Sequence, residues 1–342
     1  MRILAMSLSQ PERASGAEDG APEGAHAPHP APGIEGGAGS GGPDAAQGWR
    51  EVEEKGSAFG MRLLLGSVAL FGRRGGRLLL WPIAAYYVVS HPDVRRFSRR
   101  YLRRIGEPDG LLDVYRHVLT FARCTLDRLF FLKGETERFD VRLHGHERVI
   151  EAAEAGRGAV FLGAHLGSFE AMRALSARWQ VPVNVVMNQA NARRFRRLVR
   201  SMDSGGGVHI LEASGDQVAL ALEMREAVDR GEIVAILGDR VSAEERSVRA
   251  PFLGAEARFP AGPYLVAAAL RCPVFLTFGL YRGGARYDLY CEVFADGLVL
   301  PRPREEALER CALRYAEALG RYCRMEPMNW FNFYDFWGQD AV

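Results

Sequence analysis

Two spacings in the chain could carry out acid–base chemistry: His165–Glu170 in the stretch FLGAHLGSFEAM (161–172) and His146–Glu151 in HERVIE (146–151). A histidine with a carboxylate on one ring nitrogen has its tautomer and orientation fixed, and its other nitrogen can take a proton from an attacking hydroxyl. Spacing alone is thin support. Eight histidines and 42 acidic residues among 342 positions give about one such match by chance. A satisfied histidine beside a helix-cap glutamate is the structural alternative, so the surrounding elements must decide.

Short apolar runs alternate with longer helical patterns through most of the chain. Strands are predicted at 158–164, 181–187, 207–213, 232–238, 272–281 and 287–294, after a helical stretch at about 108–132. Helices are predicted at 168–179, 190–203, 215–230, 260–271 and 304–325, with Ser214 as an N-cap and Gly231 as a C-terminal stop. Continuous apolar strands alternating with helices predict an α/β fold, a mainly parallel central sheet flanked by helices. Gly283-Gly284 between the last two strands predicts an antiparallel hairpin at one edge.

In such sheets, ligands sit beyond the carboxyl ends of the strands. His165 directly follows the strand GAVFLGA, with Gly163 and Gly167 permitting a tight turn, Ser168 a helix cap and Glu170 in the first helical turn. His146 instead opens an amphipathic segment whose polar face is solvated. The candidate catalytic pair is therefore His165 and Glu170. Gly163, Asn188, Asp239 and Arg240, at or just past strand ends, are the candidate substrate-binding residues.

Composition excludes several other classes. A net charge of +2 gives no global argument for nucleic acid. The five cysteines form no C-x-x-C pair, which argues against a zinc site or a disulfide framework and fits a reducing, cytoplasm-facing environment. No P-loop or G-x-G-x-x-G follows any strand, and His144 and His146 have no nearby cysteine; no cofactor or metal is expected.

Residues 1–48 are Gly-, Ala- and Pro-rich and are expected to be disordered, with the folded protein starting near Trp49. Residues 49–105 are expected to form a membrane-associated helical segment. Its apolar runs, 63–72 and 78–89, are separated by Arg73, Arg74 and Arg77, and each is too short to span a bilayer of the ~20 residues required. Arg95, Arg96, Arg99, Arg100, Arg103 and Arg104 then recur as pairs every four residues, which on a helix gathers them on one broad face. The expectation is a helical hairpin dipping into one leaflet, with arginines at the headgroups and Trp81, Tyr86 and Tyr87 at the interface. Two core helices and a solvated basic helix are the alternative. Residues 106–342 are expected to form the α/β domain. Two further stretches stand out: Arg193, Arg194, Arg196, Arg197 and Arg200 on one predicted helix, and the tail NWFNFYDFW (329–337). The tail is expected to strap against the body, or else to line an acyl channel or sit at the membrane interface.

HLGSFE at 165–170, within GAVFLGAHLGSFEAMRAL, resembles the H-x4-D/E signature of the lysophospholipid acyltransferase superfamily, and specifically its lipid A lauroyl/myristoyl transferase branch. ILGDRV (236–241) and VRAPFLGAEARFPAGPYLVAAALRCPVF (248–275) resemble further blocks of that branch. The likeness covers about residues 49–337. It implies His165 as general base, Glu170 as its orienting partner, and an acyl carrier protein or acyl-CoA thioester as donor. It also implies a membrane lipid or glycolipid hydroxyl as acceptor, at the cytoplasmic face of the inner membrane. Arg240, positioned by Asp239, would then stabilise an oxyanion or bind a phosphate; a structural salt bridge is the alternative. An arginine after Asp239, where that branch commonly carries glutamine, makes the likeness loose for substrate. A lysophospholipid or amino-acid-lipid acceptor, or a binding module without turnover, stays open.

Overall fold

A computed structural model describes residues 66–68, 71–172, 181–188, 208–213, 217–241 and 245–338. The expected disordered stretch 1–48, the cap Ser214 and the arginine-rich helix 190–203 lie outside these residues.

Seven strands form the central sheet: β1 (Asp140–His144), β2 (Ala159–Gly163), β3 (Val183–Asn188), β4 (Val208–Ala213), β5 (Ile233–Leu237), β8 (Val274–Tyr281) and β9 (Arg286–Ala295). Their order is β1-β9-β8-β2-β5-β3-β4, and every neighbouring pair is parallel except β8 and β9. A separate antiparallel hairpin joins β6 (Ser247–Phe252) and β7 (Ala255–Pro260). Gly283 and Gly284 take φ of 94° and 58°, so the chain reverses there at a conformation most side chains avoid. That turn is not at the sheet's edge, as expected, because β1 pairs in parallel with β9 and forms the edge itself. β1 reads DVRLH, too polar to stand out as an apolar strand.

Successive residues of β2 point to opposite faces of the sheet. Val160 and Leu162 enter one core; Ala159 and Phe161 enter the other. Helices cover both sides: α1 over 71–90, α2 (Pro92–Ile105), α3 (Leu111–Leu132) and α4 (Glu147–Glu154), then α5 (Gln217–Asp229), α6 (Gly262–Leu270) and α7 (Arg304–Met325). Gly231, at φ 78°, ends the turn after α5 as expected.

The N-terminal segment differs from the expected hairpin. Helix α1 runs unbroken through Arg73, Arg74 and Arg77. Two of these arginines turn toward protein instead of headgroups. Arg73 forms a two-pronged pair with fully buried Asp127 of α3 at 2.6 Å and donates to the Gly284 carbonyl. Arg77 reaches the same carbonyl and the Tyr281 hydroxyl. In the β8–β9 turn the Gly283 carbonyl accepts from Arg286 N–H at 3.0 Å, and the two guanidinium groups satisfy the Gly284 carbonyl. No helix among the described residues is long and apolar enough to cross a membrane.

One buried histidine sets a pH dependence for the fold. His117 of α3 is fully buried; its Nε2–H must donate to the Trp330 carbonyl at 2.9 Å, so Nδ1 accepts from the Ser98 hydroxyl at 2.9 Å. Burial pushes its pKa down from 6.5 to about 4, although the Trp330 carbonyl works the other way. The unfolded chain therefore binds a proton at pH values where the folded chain does not. Stability from this group is complete above pH 6.5 and falls toward pH 4 by about 1.4 kcal/mol per pH unit. Thermal melts across that window should show a shallower decline for His117→Gln than for the parent; equal slopes would contradict this assignment.

Candidate active site

The register of the parallel pair β2–β5 builds the site. Gly163 lies opposite Leu237, so the residues two steps past each strand, His165 and Asp239, emerge side by side at the carboxyl end of the sheet. His165 Nδ1 lies 2.8 Å from Asp239 Oδ1, and the His165 backbone N–H donates to Asp239 Oδ2 at 3.0 Å. Trp330 Nε1–H donates to that same oxygen at 3.2 Å. Asp239 is fully buried and its pKa falls below the usual carboxylate value; desolvation opposes the fall, but His165 and Arg240 outweigh it.

These bonds fix the histidine's protons. An ionised carboxylate only accepts, so Nδ1 carries the hydrogen and Nε2 keeps its lone pair. Nε2 has no hydrogen-bond partner among the described residues, and the side chain keeps 24% of its surface exposed. Burial, then the Arg240 charge, then Arg128 lower the His165 pKa, with Asp239 opposing them. The ring is thus neutral at pH 7 and can accept a proton at Nε2.

The expected His165–Glu170 pairing is not formed. The chain after Ser168 winds into a tight 3-10 turn, Phe169–Met172, which carries Glu170 to Arg128 of α3. Glu170 Oε1 meets Arg128 Nε at 2.6 Å, and the Ser168 hydroxyl donates to Oε2 at 3.3 Å. Asp239 takes the place beside the histidine because the β2–β5 register delivers it there. The Asp239 carboxylate hydrogen-bonds to His165 and Trp330, so Arg240 acts on it through its charge, which lowers the Asp239 pKa. Arg240 donates to the Phe331 carbonyl at 2.9 Å and lies 5.4 Å from the Tyr334 ring centre.

The other two candidates are the last residues of their strands. Gly163 is buried, and its carbonyl accepts from Gly238 N–H at 2.9 Å and the Tyr315 hydroxyl at 2.7 Å. It packs the strand end. Asn188 closes β3, which lies beyond β5 and hence two strands from β2, roughly 10 Å across the sheet.

A turn and a strap hold the histidine. Gly167 sits at φ 66° and donates to the Asn329 carbonyl at 2.8 Å; Ser168 N–H donates to the Gly279 carbonyl at 2.8 Å. The tail follows: Phe331 N–H donates to the His165 carbonyl at 2.9 Å, and the Asn329 amide brackets Tyr281 of β8. Trp330, Phe331, Phe333 and Phe336 are buried, so the aromatic tail packs as a strap. Trp330, Asn329, Arg128 and Tyr315 are site residues that no local spacing reveals.

The site thus holds a neutral, carboxylate-oriented histidine beyond the ends of parallel strands, and among the described residues no serine, threonine or cysteine side chain bonds to it. Residues 119–338, nearly two thirds of the chain, match the bacterial lipid A biosynthesis acyltransferase family, and the protein belongs to it. It is an acyl-transferring enzyme. A search of curated proteins found no match. The matched span contains Arg128, His165, Glu170, Asp239, Arg240 and Trp330; helices α1 and α2 precede it.

Proposed function

We propose that the protein is an O-acyltransferase moving a fatty acyl chain from a thioester to a hydroxyl of a membrane lipid, at the cytoplasmic face of the inner membrane. The observation that carries this reading is the His165 tautomer: Nδ1 is held by Asp239, Nε2 has no partner among the described residues, and the side chain is partly exposed. The acceptor hydroxyl gives its proton to Nε2 as its oxygen bonds to the thioester carbonyl carbon. The tetrahedral intermediate then collapses, the C–S bond breaks, and the leaving thiolate recovers the proton from Nε2. Ester and free thiol are the products.

The positive field of Arg240 and Arg128, which depresses the His165 pKa, favours the negative charge growing on the carbonyl oxygen. Glu170 serves as a positioning residue by holding Arg128. The donor is an acyl carrier protein or acyl-CoA, residues 106–342 supply the chemistry, and the helices before them seat the enzyme on the membrane. The test is thiol release from acyl carrier protein thioester, with and without solubilised inner-membrane lipid. Lipid-dependent release with a new acylated lipid is expected; release unchanged by lipid would contradict acyl transfer to a lipid.

A further inference from the structure

Helix α2 presents six arginines, 95, 96, 99, 100, 103 and 104, around an open cleft of about 530 Å³ that Pro92 also lines. So many like charges on four turns repel one another unless counter-charge is near. Carboxylates that touch them include Asp335 on Arg100 at 2.7 Å, Asp109 on Arg103 at 2.5 Å, and Asp93 loosely on Arg96 at 4.0 Å. Arg104 stacks over Trp337 at 4.5 Å. Burial and the adjacent Arg100 hold Arg104 below the usual arginine range. Arg99 has no hydrogen bond or ion pair among the described residues, and its Nε is buried without a partner. Arg99 therefore brings into the cleft a cation that no carboxylate pairs among the described residues.

What lies beside it identifies the counter-charge. Arg95 caps the C-terminus of α1 by donating to the Val88 and Val89 carbonyls, so the cleft begins where α1 ends. On α1, one side packs into the core through Leu80, Ala84, Tyr87 and Val88. Phe71, Leu78, Trp81, Tyr86 and Val89 are 52–74% exposed. A run of exposed apolar side chains this size signals an apolar partner, and next to an arginine cluster it fits a phosphate headgroup with its acyl chains.

We propose that the α2 cleft is a phosphate-recognition site for an anionic lipid of the membrane on which the α1 stripe rests. This rests on the reading of the protein as a membrane-surface enzyme, and names the headgroup chemistry that seats it. The site adjoins the catalytic support. Arg100 and Arg104 hold the strap at Asp335 and Trp337, while on the opposite face of α2 Tyr101 donates to the Pro327 carbonyl and packs edge-on to Trp330. A lipid bound there lies one strap segment from His165.

The test is cosedimentation of the full chain with vesicles of phosphatidylcholine alone or mixed with phosphatidylglycerol. Three proteins are compared: the parent, Arg96→Gln/Arg99→Gln, and Arg196→Gln/Arg197→Gln as a basic-segment control. The parent and the control should prefer the phosphatidylglycerol mixture by about tenfold or more, and the cleft variant should lose that preference with its melting temperature unchanged. Equal binding of the parent to both compositions, or a preference retained by the cleft variant, would overturn the site. So would equal loss in the control, which would mean diffuse charge attraction. Inorganic phosphate raising the parent's melting temperature without any lipid preference would make this a free-anion site. Loss of carrier-protein binding in the cleft variant, with lipid preference kept, would make it a protein-docking site. A parent that transfers acyl chains yet shows no lipid preference refutes the cleft alone; one that neither binds vesicles nor transfers refutes the underlying reading too.

Discussion

Replacing Asp239 with asparagine should cut kcat for acyl transfer about 10³–10⁴-fold while leaving the fold intact. The hydrogen bonds dictate this. Asp239 Oδ2 accepts two N–H groups, from the His165 backbone and from Trp330, whereas Oδ1 accepts one, from the His165 ring. An asparagine places its carbonyl where two donors converge, because its NH2 there would face both of them. The NH2 then faces Nδ1, which must become an acceptor, and the ring proton moves to Nε2. The base is lost although every heavy atom stays in place. Glu170→Gln should cost far less, about tenfold to a hundredfold, since Glu170 reaches the site only through Arg128. Steady-state rates and melting temperatures of the two variants check the assignment. A larger loss in Glu170→Gln than in Asp239→Asn would return the orienting role to Glu170.

The second large effect is on the turn. A Cβ on Gly167 would sit 1.9 Å from the Gly279 carbonyl oxygen and 2.9 Å from its carbon, and the residue holds φ 66°. Neither obstacle can give way, because Gly279 is within β8, paired to β9. Gly167→Ala should therefore destabilise by about 4 kcal/mol or more, at the upper end of single substitutions, and abolish activity. Gly254→Ala is the matched control: its φ is 80°, but nothing lies within 4 Å of the added Cβ. That substitution should cost only about 1 kcal/mol of backbone strain. Chemical denaturation separates them; equal losses would mean that the Gly167–Gly279 approach does not constrain the turn.

Much of the sheet is legible in the sequence because its central strands are buried on both faces and read as unbroken apolar runs. β2, AVFLG, is buried at all five positions, and the same pattern puts His165 at a strand end. The partner of that histidine is not legible. Asp239 lies 74 positions away, and only the pairing of β2 with β5 makes the two neighbours; apolar patterning identifies strands without giving their order. Glu170 stands out in the sequence through a spacing that supposes a regular helix, but the chain makes a 3-10 turn there. Trp330 is legible as part of an aromatic tail whose packing follows from its composition. Its bond to Asp239 depends on where α7 delivers the tail, a tertiary fact. Likewise, Arg73 and Arg77 read as interfacial charges because nothing local announces Asp127 or the open Gly284 carbonyl.

The proposed role of His165 as the acceptor of the hydroxyl proton is tested by transfer of labelled acyl chain from acyl carrier protein into inner-membrane lipid, comparing the parent with His165→Ala. A new labelled lipid is expected, formed by the parent and reduced about 10²–10⁴-fold in the variant, with both proteins melting at similar temperatures. Labelled lipid formed at equal rates by both proteins would contradict it.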